Sequence, residues 1–448
     1  MSRRRCERAM TLAALALASV SATALAETAD IAPWPQWRGP AGSGIAAPAD
    51  VPLEWNAASG KNILWKTAIE GRGHSSPVVW GDRIFLTSAI EGDVIPGAKP
   101  PAHTLGGEEF KHPDALGADR HHTLTVLALD AGTGKVVWSK VAYAGAMYDD
   151  RHKAGSYASP TVATDGERVF AYFGSQGLHV YDFAGSLAWS RDIGDIKTVG
   201  MGVGTSPVLW GDHVFLQADE NEGKESFLVA LDKKDGSEAW RVPRPVQASW
   251  TTPIVVEDRS GGAQLVTAGN ERIIAYDPNT GRELWQVEGL ESNAIHVPLH
   301  GDGMVYVTAG YPQKVMKALK LGAAGTPPRV AWTYNKGLAY VASNLLYEGR
   351  VYLTNDAGVL TCLDAKTGAT VYEGGRAPAQ GSYMASLVAV SGKILMVNRD
   401  GDAGWVKAGP QHEVLAEASI DEPVYATPAI VGDRIYIRGE RHLYAIAK

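Results

Sequence analysis

Six of the twelve histidines in this 448-residue chain lie between positions 74 and 152: His74, His103, His112, His121, His122 and His152. Imidazole titrates near neutral pH, so a concentration of this kind suits proton transfer or, through neutral ring nitrogens, metal ligation. Carboxylates are interleaved with them: Glu108, Glu109, Asp114 and Asp119, then Asp149 and Asp150 ahead of Arg151, His152 and Tyr157. Farther on stand Asp219 with Glu220 and Asn221, Trp250, Asn270, Asn293 with His296, and Arg399 with Asp400. A ligand site built from this mixture of aromatic and ionisable groups would draw on His74, His152, Tyr157, Asp219, Trp250, Asn270, His296 and Arg399. Trp250 and Tyr157 would stack on sugar faces while His74, His152 or His296 moved a proton. For a metal, His121 and His122 are weak candidates, because neighbours on a strand point to opposite faces and at most one can face inward. Asp400 with Asp402, and Asp219 with Asn221, do not follow the spacing of a twelve-residue calcium loop. Taken singly, each residue reads as a solvated loop side chain or turn cap. Only the fold can bring them together.

The elements that would do so repeat. Ala128-x-Asp130-x-x-Thr133-Gly134-Lys135-x-x-Trp138 recurs as Ala275-x-Asp277-x-x-Thr280-Gly281-x-x-x-Trp285, a third copy runs from Ala230 to Trp240, and worn copies end at Trp189 and Tyr372. A second signature introduces each unit: a small hydroxyl residue, a proline or its substitute, a β-branched run and a Gly/Asp turn. Counted on the proline position, the units begin at 77, 160, 207, 253, 298, 344, 387 and 428. Their spacings are 83, 47, 46, 45, 46, 43 and 41, which makes eight units of about 45 residues, the first carrying an insertion at about 90–122. Within a unit, runs such as Val78–Trp80, Arg83–Ser88, Thr123–Leu129 and Val136–Lys140 read as four short strands joined by tight turns. Four antiparallel strands at this period predict an all-β, eight-bladed propeller. The last unit supplies three strands and no Trp, and the missing piece stands near the other end, at residues 59–65. The N-terminal strand is therefore expected to complete the last blade and remove an open edge. The recurring Trp is expected to pack between blades.

Residues 1–26 combine four arginines, the apolar run 10–20 and Ala24-Leu25-Ala26, the pattern of a cleaved secretory leader. Removing them takes four arginines and one glutamate and leaves 38 basic and 48 acidic residues, a net charge of −10. That balance disfavours nucleic acid as a partner. No stretch after the leader reads as a transmembrane segment. Cys6 leaves with the leader, so Cys362 alone remains and no internal disulfide forms. With no lipid-attachment cysteine at the cleavage site, the expectation is a monomeric periplasmic or secreted protein with a lead-in at 27–58 and a propeller at 59–448.

On these repeats the chain resembles the PQQ-binding-like β-propeller repeat family from about Trp34 to Lys448, including the opening Trp34-Pro-Gln-Trp-Arg-Gly-Pro40. That family includes the eight-bladed quinoprotein alcohol dehydrogenases and the propeller subunit of the outer-membrane barrel-assembly machine. The dehydrogenase resemblance implies PQQ with calcium, typically beneath a pair of adjacent cysteines. This chain has no Cys-Cys pair and no Cys-x-x-Cys-His for haem. No specific residue therefore supports PQQ or calcium, and no catalytic residue is carried over.

The leading expectation is a noncatalytic scaffold that binds a protein partner, or a small-molecule or saccharide ligand, through the loop face of the propeller. That face collects the blade-to-blade loops and the loops joining second to third strands, and the 90–122 insertion lies on it. The alternatives are a PQQ-dependent dehydrogenase-like oxidoreductase and, behind it, a saccharide-active enzyme working at the channel mouth.

Overall fold

The computed structural model describes residues 32–448 except 106, 258–261 and 324; the leader expected at 1–26 lies outside them. The turn chemistry of the repeat sets the local structure. Gly81, Gly211 and Gly432 take positive φ of 57°, 53° and 58°. Each closes a two-residue hairpin between the first and second strands of its unit, where a glycine with positive φ matches the strand twist. Between third and fourth strands, Asp130 Oδ1 accepts from the Thr133 amide at 2.7 Å and its hydroxyl at 2.8 Å, and Gly134 follows at φ 72°. Asp364, Thr367 and Gly368 repeat this turn.

Eight four-stranded antiparallel sheets result. Blade one is Val78–Trp80, Arg83–Val94, Arg120–Asp130 and Val136–Ala146. Blade four is Ile254–Glu257, Ala263–Thr267, Arg272–Tyr276 and Glu283–Glu288. Blade eight joins Ala429–Val431, Arg434–Arg438 and His442–Ile446 to Ile63–Ala68 from the other end of the chain, with Trp65 opposite Ala445 and Ala68 opposite His442. Helix among the described residues is confined to two 3-10 turns, Pro40–Gly42 and Gly174–Gln176. None is long and apolar enough to cross a membrane.

The tryptophans bind blade to blade. Trp65, Trp138, Trp189, Trp240 and Trp332 each donate Nε1 to a carbonyl in the third-to-fourth turn of the next blade, those of Ala131, Phe183, Lys233, Pro278 and Ala365, at 2.9–3.2 Å. Their rings cover the turn glycines so closely that a Cβ on Gly134, Gly185, Gly236, Gly281 or Gly368 would fall within 2.8 Å of a ring atom. Trp285 departs from the pattern and donates to Gln264 Oε1 at 2.6 Å.

The hydroxyl residues before the first strands form a ring of their own. The amides of Thr427, Ser76, Thr161 and Ser206 donate to the side-chain oxygens of Ser76, Thr161, Ser206 and Thr252 in turn, at 2.9–3.0 Å. Those of Val297, Ser343 and Ser386 donate to Ser343, Ser386 and Thr427 at 3.0–3.2 Å. Blade five offers Val297 at this place and lacks the hydroxyl. Blade two is keyed by Thr161, not by Ser159 ahead of Pro160, which corrects the first two spacings to 85 and 45 and leaves the count of eight unchanged.

The lead-in runs inside the circle of first strands. Trp34 exchanges backbone hydrogen bonds with Val79 of blade one, Pro35 accepts from Thr164 of blade two, and Ala46 and Gly44 pair with Ala389 of blade seven. Arg38, fully buried, donates to the carbonyls of Gly42, Ser43 and Asn344 at 3.2, 3.2 and 2.8 Å. Its guanidinium faces no carboxylate within salt-bridge distance among the described residues, and burial lowers its pKa to about 9, so it stays charged at neutral pH. Val51 and Trp55 then pack into the core of blades seven and eight.

Candidate functional site

On the loop face the insertion folds into structure of its own. His103–Leu105 pairs with Glu108–Phe110 as a hairpin, and Ala115–Leu116 pairs with Arg151–His152 of the loop entering blade two. The hairpin reaches as far as blade three, where Asn221 Nδ2 donates to the Thr104 carbonyl and the Thr104 hydroxyl to Glu222. Beneath it, His103 Nε2 lies 2.9 Å from Asp149 Oδ1, and the other Asp149 oxygen accepts from the Thr198 amide at 2.9 Å. Asp150 accepts from the Ala118 amide at 2.9 Å.

Around this seam the charges are matched. Glu91 is met by Arg120 at 3.4 Å, Arg151 at 3.3 Å and His122 at 3.9 Å. Asp114 is met by Lys153 at 2.9 Å and His152 at 3.4 Å, and the hydrogen bond and charge of Lys153 hold its pKa below the usual carboxylate range. Tyr157 donates to the Asp149 carbonyl at 2.9 Å, edges onto the His122 ring at 4.7 Å and lies 5.6 Å from the Arg151 guanidinium. Burial pushes the Tyr157 phenol well above its usual range. His121 is exposed and His122 buried, on opposite sides of their strand. The cavity left between Asp149, Tyr157 and Thr198 measures about 20 Å³, room for one water molecule.

His74 belongs to a neighbouring group. It stacks on Tyr425 at 4.3 Å with the rings 11° apart, and Arg399 Nε donates to the Tyr425 hydroxyl at 3.0 Å. Burial, then Arg72, Arg438 and Arg151, lower the His74 pKa to about 3, so its ring is neutral. Arg72 links this stack to the seam by donating to the Lys153 carbonyl at 2.8 Å. Trp250 adjoins the seam too, donating to the Gly202 carbonyl at 2.8 Å. His74, His152, Tyr157, Arg399 and Trp250 thus spread over one continuous arc of loops, from the second-to-third-strand loop of blade seven round to the loop entering blade four.

Three candidates sit elsewhere. Asp219 is buried in a bidentate pair with Arg244 at 2.7 and 3.2 Å and also accepts from Ser249 and Gln217, so its oxygens orient Arg244, which in turn donates to Thr267 of blade four. His296 is 1% exposed, with Nε2 3.0 Å from the Ala339 carbonyl, and burial lowers its pKa to about 4. Asn270 is half-buried and its carbonyl accepts from the Glu291 amide at 2.9 Å. Sequence reading passed over Glu91 and Thr198, which organise the seam. Glu91 has one signal, its place at the start of the insertion.

A family profile described as outer membrane protein assembly factor BamB matches residues 122–259 and 224–325. Outer membrane protein assembly factor BamB of Moranella endobia is 25% identical over 71% of this chain and 79% of its own length. The 1-butanol dehydrogenase (quinone) of Thauera butanivorans is 24% identical over 42% of this chain and 31% of its own length. Among solved structures, BamB from Moraxella catarrhalis superposes with a TM-score of 0.55 at 15% identity, covering 81% of this chain and 97% of that one. The quinohemoprotein alcohol dehydrogenase from Comamonas testosteroni gives 0.56 at 13% identity, covering 94% and 82%. The structural likenesses establish a shared fold.

The residues do not fit the PQQ and calcium that the dehydrogenase likeness implies. Calcium takes six to eight oxygen ligands, and no cluster of three His, Cys, Asp or Glu side chains suited to a metal occurs among the described residues. The loop-face carboxylates Asp149, Asp150 and Asp219 are already bound to protein donors. The described cysteine, Cys362, is buried in blade six. Lead-in residues around Arg38 occupy part of the channel.

Proposed function

We propose that this chain, a PQQ-like β-propeller repeat protein similar to the BamB propeller, is an exported noncatalytic scaffold that holds a protein partner on its loop face. The observation that carries the reading is the surface of the insertion. Val94, Leu105 and Leu116 are 52, 55 and 43% exposed there, and Tyr311 of blade five, on the same face, is 56% exposed. Exposed apolar groups rimmed by charge are the composition of a protein-interaction surface. Beneath them the ionisable groups are spent on one another, and the cavity of about 20 Å³ is too small for a substrate. The assembly role in the names of the BamB relatives supports a partner of the outer-membrane assembly kind.

A dehydrogenase reading has the similarity to 1-butanol dehydrogenase behind it but, among the described residues, no cluster of donors for a metal ion. The test compares partner capture by the intact protein, a version with residues 95–118 replaced by a short turn, and the double substitution Leu105→Asp, Leu116→Asp. Loss of the captured partner in both variants, with melting unchanged in the double variant, is the expected result. Equal capture by all three would remove the insertion from the interface.

A further inference from the structure

The lead-in fills the propeller channel only in part. Against blades one to five it leaves a cavity of about 500 Å³. The wall runs from Thr252, at the hydroxyl ring, down to Trp210 and Glu257 at the hairpins on the face opposite the insertion. Three half-buried tryptophans line it: Trp37 from the lead-in, Trp80 from the end of the first strand of blade one, and Trp210 from its counterpart in blade three. Gln36, Glu257 and His300 contribute hydrogen-bonding groups, the last two from exposed positions at the rim.

Volume and charge narrow the occupant. A trimethylammonium-sized cation would leave most of the space empty, whereas pockets of about 300–1,000 Å³ enclose ligands of several rings. The carboxylates are each engaged by protein donors. Asp165 lies 3.7 Å from Lys233 and 3.9 Å from Arg168, and Glu257 accepts the Trp210 indole N–H at 2.6 Å. An anionic ligand would meet two carboxylates at the wall, Asp165 and Glu257. Although His300 is exposed at the rim, partial desolvation by the wall around its ring lowers its pKa, which favours the neutral imidazole with one donor and one acceptor. Indole groups beside the neutral hydrogen-bonding side chains of Gln36 and His300 match a ligand with apolar C–H faces and hydroxyl edges.

We infer that this cavity is a binding site for an uncharged oligosaccharide of two or three sugar rings, entered from the hairpin face and independent of the insertion. Trp37 gives the lead-in a part in binding besides its part in filling the channel.

The test titrates the purified protein with neutral cello-, malto- and chito-oligosaccharides of two to four units, following tryptophan emission and heat. A saturable signal for at least one series is expected. Its affinity should fall at least tenfold in Trp37→Ala and in Trp210→Ala, and persist in the Leu105→Asp, Leu116→Asp variant. Because Trp210→Ala removes packing, Gln36→Ala serves as a second variant, expected to weaken binding several-fold with melting unchanged. No binding by any neutral series at millimolar concentration would overturn the inference. So would binding that survives both tryptophan substitutions, or uptake confined to an apolar dye or a quaternary amine. None of these outcomes bears on partner capture at the loop face.

Discussion

Arg38 Nη2 donates to the carbonyl of Asn344, 306 residues away in sequence, at 2.8 Å. One guanidinium in the channel thereby ties the lead-in to the start of blade six while its Nε holds the Gly42 carbonyl. Charged hydrogen bonds contribute about 1.5–3 kcal/mol each before desolvation is counted. Arg38→Ala should lower the denaturation midpoint and raise protease sensitivity around residues 34–46. Arg38→Lys should not restore it, because an ammonium cannot span three carbonyls in a planar fork. Equilibrium unfolding and timed proteolysis of the three proteins check this.

Gly281 stands at φ +70° with the Trp240 ring 2.6 Å from where a Cβ would be, whereas Gly211 at φ +53° has open space around it. Gly211→Ala should therefore lose only the backbone term, about 1 kcal/mol. Gly281→Ala adds overpacking against the indole and should lose at least about 2 kcal/mol. Denaturant midpoints of the pair separate the two effects.

Thr161 Oγ1 accepts the Ser76 amide at 2.9 Å within the hydroxyl ring, and both residues are buried. Thr161→Val keeps the shape and strands that amide, at a cost of about 1–3 kcal/mol. Amide exchange at Ser76 should accelerate in the variant while exchange in blade five stays as before.

His296 is held neutral, with its pKa lowered from 6.5 to about 4, and His74 likewise to about 3. The unfolded chain binds these protons first as pH falls, so stability is present in full above about 6.5 and declines below it. For His296 the slope is about 1.4 kcal/mol per pH unit between 6.5 and 4. His296→Gln should flatten that part of the stability–pH curve measured by urea unfolding.

Blade number, the closing strand and the indole packing were legible because each rests on a repeated pattern. Trp65 could be matched to a missing fourth strand by its neighbours Ser59 and Gly60 alone. The Ser159-Pro160 pair misplaced blade two by two residues because the ring is keyed on hydroxyl position, and the proline is incidental to it. His121 and His122 were separable from strand periodicity. The pairing of Asp219 with Arg244, and the reach of Thr104 to Asn221, were not legible, since contacts between non-repeating positions leave no periodic trace. The same holds for Arg38, which a sequence pattern would place on a surface and the fold places on an axis.

Blade eight takes three strands from residues 429–446 and its fourth from residues 63–68. During synthesis, therefore, the early strand must wait unpaired until His442–Ile446 emerges, while seven sheets can already have formed beside it. A chain truncated shortly before residue 442 would keep most of its interior and still present Ile63–Ala68 as an unmatched edge. Nascent-chain quality control would meet this protein as an incomplete circle until residues 442–446 have emerged.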